Sequence, residues 1–327
     1  MTTAISLNAV ERGRFRSAVA DLVRGGAAIW IVVALVVAVL SVTRGQSFWS
    51  TGNLAALLTS AVVIGIVSLG QHLVVLSGGI DLAVGANVTL VTLLTAMLID
   101  GYPVRTVPVL LGMLVLGAVL GSIAGGMVAW LRMPPFIVTL GLMYIVGGTA
   151  LWVSPTPAGQ VTSVLTRFAI GRIGPFPYMF FVLLALVAAV WWLLYRTVWG
   201  RQIFAVGGDA SSARSIGIVS SRVLLWVYVA AGVLAAIAGI LLAARSSVGS
   251  PTAGNGLELS AITAVVIGGT SLLGGKGTLL GTMGGVALLS LITNSITLLQ
   301  LPSTVTDLVR GLIIIIAAAI FVSKVRK

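Results

Sequence analysis

The chain has 327 residues, 58% of them hydrophobic and 8% charged, with a net charge of +12. Soluble domains carry about 25% charged residues, so 19 Lys and Arg with 7 Asp and Glu cannot coat a water-soluble protein of this size. The apolar content is enough for roughly nine or ten spans of a bilayer, which excludes a soluble enzyme, a nucleic-acid binder and a disordered tail.

Residues 1–26 carry Arg12, Arg14, Arg16 and Arg24 ahead of an apolar run that starts near Ala27. This reads as the basic cytoplasmic flank of a retained first span, because the run is long for a signal core and no A-x-A site follows. Candidate spans are 27–43, 53–76, 82–99, 107–131, 136–153, 178–195, 223–243, 257–273, 277–299 and 304–322. They break at polar or Gly/Pro clusters such as Thr43-Arg44-Gly45-Gln46, Asp100-Gly101-Tyr102-Pro103 and Ser154-Pro155-Thr156-Pro157. Ten spans put both termini on one side, together with Arg132, Arg196, Arg201, Arg214, Arg222 and Lys276. Thirteen basic residues then lie on that side and six (Arg44, Arg105, Arg167, Arg172, Arg245 and Arg310) on the other. Basic loops stay cytoplasmic, so the orientation is N-in and C-in, with 323–327 a short basic tail. The positive charge is assigned to anionic lipid rather than to nucleic acid.

Two spans open alike. Gly79-Ile80-Asp81-Leu82-Ala83 leads the third, and Gly256-Leu257-Glu258-Leu259-Ser260 leads the eighth. Five spans separate them, an odd number, so the copies enter the membrane from opposite faces. That is the mark of two half-bundles with inverted topology. Asp81 is placed near the cytoplasm and Glu258 near the outside. The two acids read as caps that fix where a broken helix restarts; lining the pathway is the alternative. Gly78, Gly79 and Gly256 supply the breaks.

These residues carry a resemblance. Gly78-Gly79-Ile80-Asp81-Leu82-Ala83-Val84-Gly85 resembles the GGIDLSVG signature of the ribose-type ABC sugar importer permeases. Three further stretches match in family order: Pro135-Phe136-Ile137-Val138-Thr139-Leu140-Gly141, Gly200 through Gly208, and Ala264 through Gly275. The resemblance implies an all-α polytopic permease in the bacterial inner membrane, translocating a small neutral solute, a monosaccharide. It further implies a second permease subunit (identical or different), two cytoplasmic ATPase subunits and a periplasmic sugar-binding protein. No cofactor, metal or catalytic residue belongs to this chain, and ATP hydrolysis falls to the partner.

The polar segment 196–222 lies on the cytoplasmic side. By itself it is a solvated basic loop with one short helix, 209–214, that Asp209 could cap. In the resembling permeases the matching GxxxxAxGG segment is the coupling helix seated in a groove of the ATPase. The resemblance carries that role to Gly200, Arg201, Ala205, Gly207, Gly208, Asp209, Ala213, Arg214 and Gly217. Gly117, Gly121 and Gly125 recur every four residues and make a smooth packing face on the fourth span. Gly274-Gly275-Lys276-Gly277 fails as a phosphate loop, since Thr270 and Gly277 stand where that motif needs glycine and Ser/Thr. His72, the single histidine, reads as a packed residue. The rival function is an ion-coupled secondary transporter, which would need titratable groups in mid-span; Asp81, Glu258 and Asp307 all lie near span ends.

Overall fold

A computed structural model describes residues 28–300 together with Leu308, Gly311 and Leu312. The expected basic segment 1–26, the tail 323–327 and nearly all of the tenth span 304–322, Asp307 included, lie outside the described residues.

The helices in chain order are α1 (Ala28–Phe48), α2 (Thr51–Leu76), α3 (Val84–Ile99), α4 (Pro103–Ala129), α5 (Pro135–Val153), α6 (Ser163–Ile170), α7 (Tyr178–Arg196), α8 (Val198–Gly208), α9 (Ala210–Ser215), α10 (Ser220–Ser246), α11 (Leu257–Ile267) and α12 (Leu279–Leu298). A two-residue hairpin, β1 (Arg172–Ile173) with β2 (Phe176–Pro177), sits between α6 and α7. Among the described residues, α1, α2, α4, α5, α7, α10 and α12 are long and apolar enough to cross a membrane. The protein is an all-α polytopic membrane bundle.

The third and eighth expected spans are shorter than the sequence suggests. With a rise of about 1.5 Å per residue, the 16 residues of α3 cover about 24 Å and the 11 of α11 about 16 Å. Neither reaches the ~30 Å of a hydrocarbon core. The eighth span, expected to run to 273, stops at Ile267. Gly268 and Gly269 follow, and Gly269 has φ +85°, a conformation that ends helices at small residues.

The centre of the bundle is α10, the most enclosed of the long helices. The glycine stripe of α4 lies on it with backbone touching backbone. A Cβ on Gly117 would strike the Gly232 carbonyl, one on Gly121 the Tyr228 carbonyl, and one on Gly125 would come within 3.0 Å of Leu225. Helices that approach this closely need small residues. At the periphery α1 is the least enclosed. It lies on α12 through Ile29, Val33 and Leu40 against Leu288 and Leu291, and it bends at non-helical Arg44, where the sequence shows its polar break. Asn53 of α2 and Asn294 of α12 exchange side-chain amide hydrogen bonds of 3.3 and 2.7 Å, tying the start of one helix to the end of the other.

Candidate coupling segment and helix breaks

The first break follows α2. Ser77 N–H still donates to Leu73 O and Val74 O. Gly78 then turns left-handed at φ +87°, and Gly79 N–H donates back to Val74 O at 3.0 Å, a glycine-terminated helix end. Between these turns the chain crosses to α3 over residues 80–82 with no backbone–backbone hydrogen bond, inside an apolar bundle, so its backbone groups need other partners. The side-chain amide of Gln71 provides two. With the amide turned so that each atom faces its complement, its nitrogen donates to Asp81 O at 3.0 Å and its oxygen accepts from Asp81 N–H at 3.2 Å. Thr139 of α5 donates to Ile80 O at 3.0 Å. The buried Asp81 carboxylate accepts from Ala83 N–H at 2.8 Å, at the turn where α3 starts.

The second opening is built differently. Ser247 takes a left-handed φ of 62° at the end of α10, and the chain then runs back along α3. A Cβ on Gly249 would lie 2.8 Å from Leu93, and Gly254 N–H donates to Thr89 Oγ1 at 2.9 Å. Gly256 is left-handed at φ +81°, and Glu258 folds its carboxylate back onto Gly256 N–H at 3.1 Å. A Cβ on Gly85, one turn beyond Asp81, would strike that carboxylate. The sequence sets these two openings near opposite faces; in the structure they meet. The physical reason is the segment 247–256, which returns along α3 before α11 begins instead of leaving α11 to start at the end of α10.

The expected coupling residues fall in two consecutive helices, where the sequence shows only one. Thr197 caps α8 by accepting from Gly200 N–H at 3.2 Å. Gly200 lets the chain fold tightly against the end of α7, since a Cβ there would strike the Leu194 carbonyl. Ile203, Val206 and Gly207 turn inward and are buried, which gives α8 the one-sided apolar face of a surface helix. Asp209 joins the two helices. Its carboxylate accepts from Ser211 N–H at 2.7 Å and Ser212 N–H at 3.0 Å, capping α9. Those two amides, Ser212 first, hold the Asp209 carboxyl below the usual carboxylate range. Gly217, at φ +84°, ends the segment. Arg201, Gly208, Asp209, Arg214 and Gly217 are exposed, Ala205 is half-buried, and Gly200, Gly207 and Ala213 are buried. Ile216 adds an apolar residue that is 75% exposed.

The inward side of α8 meets two breaks: the first, after α2, and a second one, residues 268–278 between α11 and α12, distinct from the Gly256 opening. Gly275 N–H donates to Leu76 O at 2.9 Å. A Cβ on Gly207 would strike that carbonyl and lie 2.8 Å from Gly275 N, and one on Gly274 would lie 2.6 Å from Gly207 O and 2.9 Å from Gly78. Glycines from three pairs, 78–79, 207–208 and 274–275, therefore share one backbone-packed joint, with Gly79 itself facing Tyr228 instead. Weighing residues 274–277 only as a phosphate loop misses this role. The available signal was that all three pairs fall on one side of the membrane in the topology set by loop charge.

A polytopic bundle with interrupted helices is a make-up found in transport proteins. The chain belongs to the family described as branched-chain amino acid transport system / permease component, whose profile matches residues 53–318. It is 35% identical over 295 residues to the ribose import permease protein RbsC of Escherichia coli (strain K12), covering 89% of this chain and 91% of that protein. It is 36% identical over 302 residues to the fructose import permease protein FrcC of Rhizobium meliloti, covering 89% and 83%. It is 37% identical over 290 residues to the probable ABC transporter permease protein YphD of E. coli (strain K12), covering 88% and 86%. No solved structure gives a match.

Proposed function

We propose that this chain is the membrane-spanning subunit of an ATP-driven ABC importer that carries a monosaccharide across the bacterial inner membrane. The names of its relatives support a sugar and an ABC system, and give no support to the ion-coupled alternative. The working complex contains two cytoplasmic ATPase subunits, a second permease subunit of the same or a related kind, and a periplasmic sugar-binding protein. In this reading residues 27–322 form the permease domain with ten spans in two inverted half-bundles, 196–222 is its cytoplasmic coupling segment, and 1–26 and 323–327 are basic cytoplasmic ends on anionic lipid.

One observation carries the mechanism. The segment α8–α9 offers Arg201, Gly208, Asp209, Arg214 and Ile216 outward while its buried Gly207 is locked to Leu76 and Gly275. A partner that moves the outer side moves the inner side with it, because two short capped helices transmit displacement where a loose loop would absorb it. The inner side touches the end of α2 and the turn between α11 and α12, so closure of the ATPases reaches both half-bundles at one point. The scarcity of charges in the spans suits a neutral solute, since a charged one would need a desolvated counter-charge.

The test is uptake of labelled monosaccharides into proteoliposomes that hold the assembled importer and internal ATP. Uptake persists in the presence of a protonophore and stops with a catalytically dead ATPase; collapse with the proton gradient at constant ATP refutes the proposal. Within the same system, Gly208→Trp leaves the chain folded, since no atom lies within 4 Å of a Cβ there, and it blocks ATPase docking. Orientation is read from single cysteines, as the chain has none. Arg132→Cys labels from inside and Gly101→Cys from outside, both positions being exposed at opposite ends of α4.

A further inference from the structure

Gln71 and His72 are adjacent, buried and polar on the last turns of α2. Successive residues on a helix point about 100° apart, so the pair faces two different neighbours. Gln71 holds the backbone of Asp81 in the first break, matching a stranded N–H and a stranded C=O with one amide. His72 turns to the second break. Its Nδ1 lies 2.8 Å from Thr282 Oγ1 and 3.2 Å from Thr270 Oγ1. Thr270 stands just past the end of α11 and Thr282 in the first turns of α12. His72 Nε2 has no partner among the described residues, so the polar role of the ring is invested in Nδ1. Packing alone accounts for neither residue, because an apolar side chain of similar volume fills such a site without burying polar atoms that demand partners.

We propose that Gln71 and His72 are positioning residues that hold the two helix breaks in one register, so that a displacement entering through Gly207 reaches both breaks together. Leu76, four residues after His72, supplies the third tie through its carbonyl to Gly275 N–H. The inner end of α2 is then a common strut: one side chain pins each half of the bundle, and α8 bears on its last carbonyl. This deepens the importer reading and rests on it for the transport consequence. The mechanical consequence is measurable without transport.

The experiment uses spin labels at Ser212→Cys on α9 and Leu273→Cys in the second break, both exposed, in the cysteine-free chain. The distance distribution is narrow in the parent and broadens in His72→Leu, which keeps volume and loses the polar atom. His72→Asn, whose amide reaches the Nδ1 position, restores it. Thr282→Val removes the same bond from the other side, so a folding defect in one variant leaves the test standing. In proteoliposomes of the full importer, His72→Leu and Gln71→Met lower sugar uptake per ATP hydrolysed by about tenfold, the scale of one lost buried hydrogen bond, and His72→Asn recovers it. An unchanged distance distribution in both His72→Leu and Thr282→Val overturns the proposal, as does an Asn variant no better than Leu. If the parent complex imports no sugar while the distances respond as stated, the importer reading fails and the strut stands.

Discussion

The two helix openings share a five-residue pattern and are held in opposite ways. At the first, the acid is buried and much of the structure around it comes from elsewhere: Gln71 brackets the Asp81 backbone, Thr139 holds Ile80, and the carboxylate accepts from the Ala83 and Val84 N–H groups. At the second, Glu258 is half-exposed and caps the residue two before it, with a left-handed Gly256 making the turn. One opening is fastened by its neighbours and the other by itself. A local sequence pattern fixes the chemistry of the cap, and the surrounding helices decide how much depends on it. The openings meet where Gly85 faces Glu258 and Gly254, so the fastened one supports the self-made one.

That contact is where the largest effect is expected. In Gly85→Leu a side chain must occupy space already held by the Glu258 carboxylate and the Gly254 carbonyl, the latter 2.7 Å from the first carbon added. Overpacking costs about 1–3 kcal/mol where neighbours can yield, and here one neighbour is backbone. Import is abolished and the unfolding midpoint in detergent falls sharply. Gly148→Leu, with no atom within 4 Å of the new Cβ, leaves the midpoint unchanged. Equal midpoints for the two variants would show that the openings are not packed together.

The next effect separates the acids. Asp81→Ala strands the buried N–H groups of Ala83 and Val84 at the start of α3, a loss of about 1–3 kcal/mol for each. Glu258→Ala removes a partly exposed carboxylate from a helix N-terminus, worth about 0.3–1 kcal/mol. Thermal unfolding of the two purified variants gives the order, and a Glu258→Ala loss as large as that of Asp81→Ala breaks the contrast between fastened and self-made.

Most of this architecture is legible in the sequence, and what is not has a single cause. Spans such as 53–76, 136–153 and 178–195 fall within a few residues of α2, α5 and α7, because a long apolar run flanked by polar or proline residues leaves the backbone no alternative to a helix in lipid. The Arg44 bend, the Asp209 cap and the glycine face of α4 are legible for similar reasons, since each depends on residues close in the chain. The re-entrant path of 247–256, the early stop of α11 and the joint of three glycine pairs depend on contacts between residues many tens of positions apart. Hydropathy averages across them: Gly268-Gly269 sits in an apolar stretch, so the eighth span reads on to 273. His72 shows the same limit. Its sequence context suggests packing, and only the approach of Thr270 and Thr282 reveals a tether.

A smaller effect tests whether the two turns themselves are alike. Gly78 and Gly256 are both left-handed, and a Cβ would meet nothing closer than 3.9 Å at Gly78 and nothing within 4 Å at Gly256. Each alanine variant therefore bears only the backbone cost, about 1–2 kcal/mol. Matching decreases in unfolding midpoint confine the difference between the openings to how their acids and backbones are held. A much larger loss at Gly78 extends that difference to the turn.

The smallest effect comes from the third capping acid, Asp209, which has the chemistry of the other two with water on every side. Its carboxylate is held below the usual range first by Ser212 N–H and then by Ser211 N–H. The sign follows from that direction: the cap stabilises α9 at neutral pH, keeps doing so as pH rises, and is lost as pH falls through the lowered value of the folded state. Asp209→Asn retains an accepting oxygen suited to the cap position and removes the titration. Amide hydrogen exchange at Ser211 and Ser212, corrected for the intrinsic rate at each pH, reports the outcome. Protection in the parent drops on strong acidification; in Asp209→Asn it stays level, and in Asp209→Ala it is low throughout. If parent and Asn variant lose protection together as pH falls, the Asp209 carboxylate is not what holds α9, and burial is not what ranks the three caps.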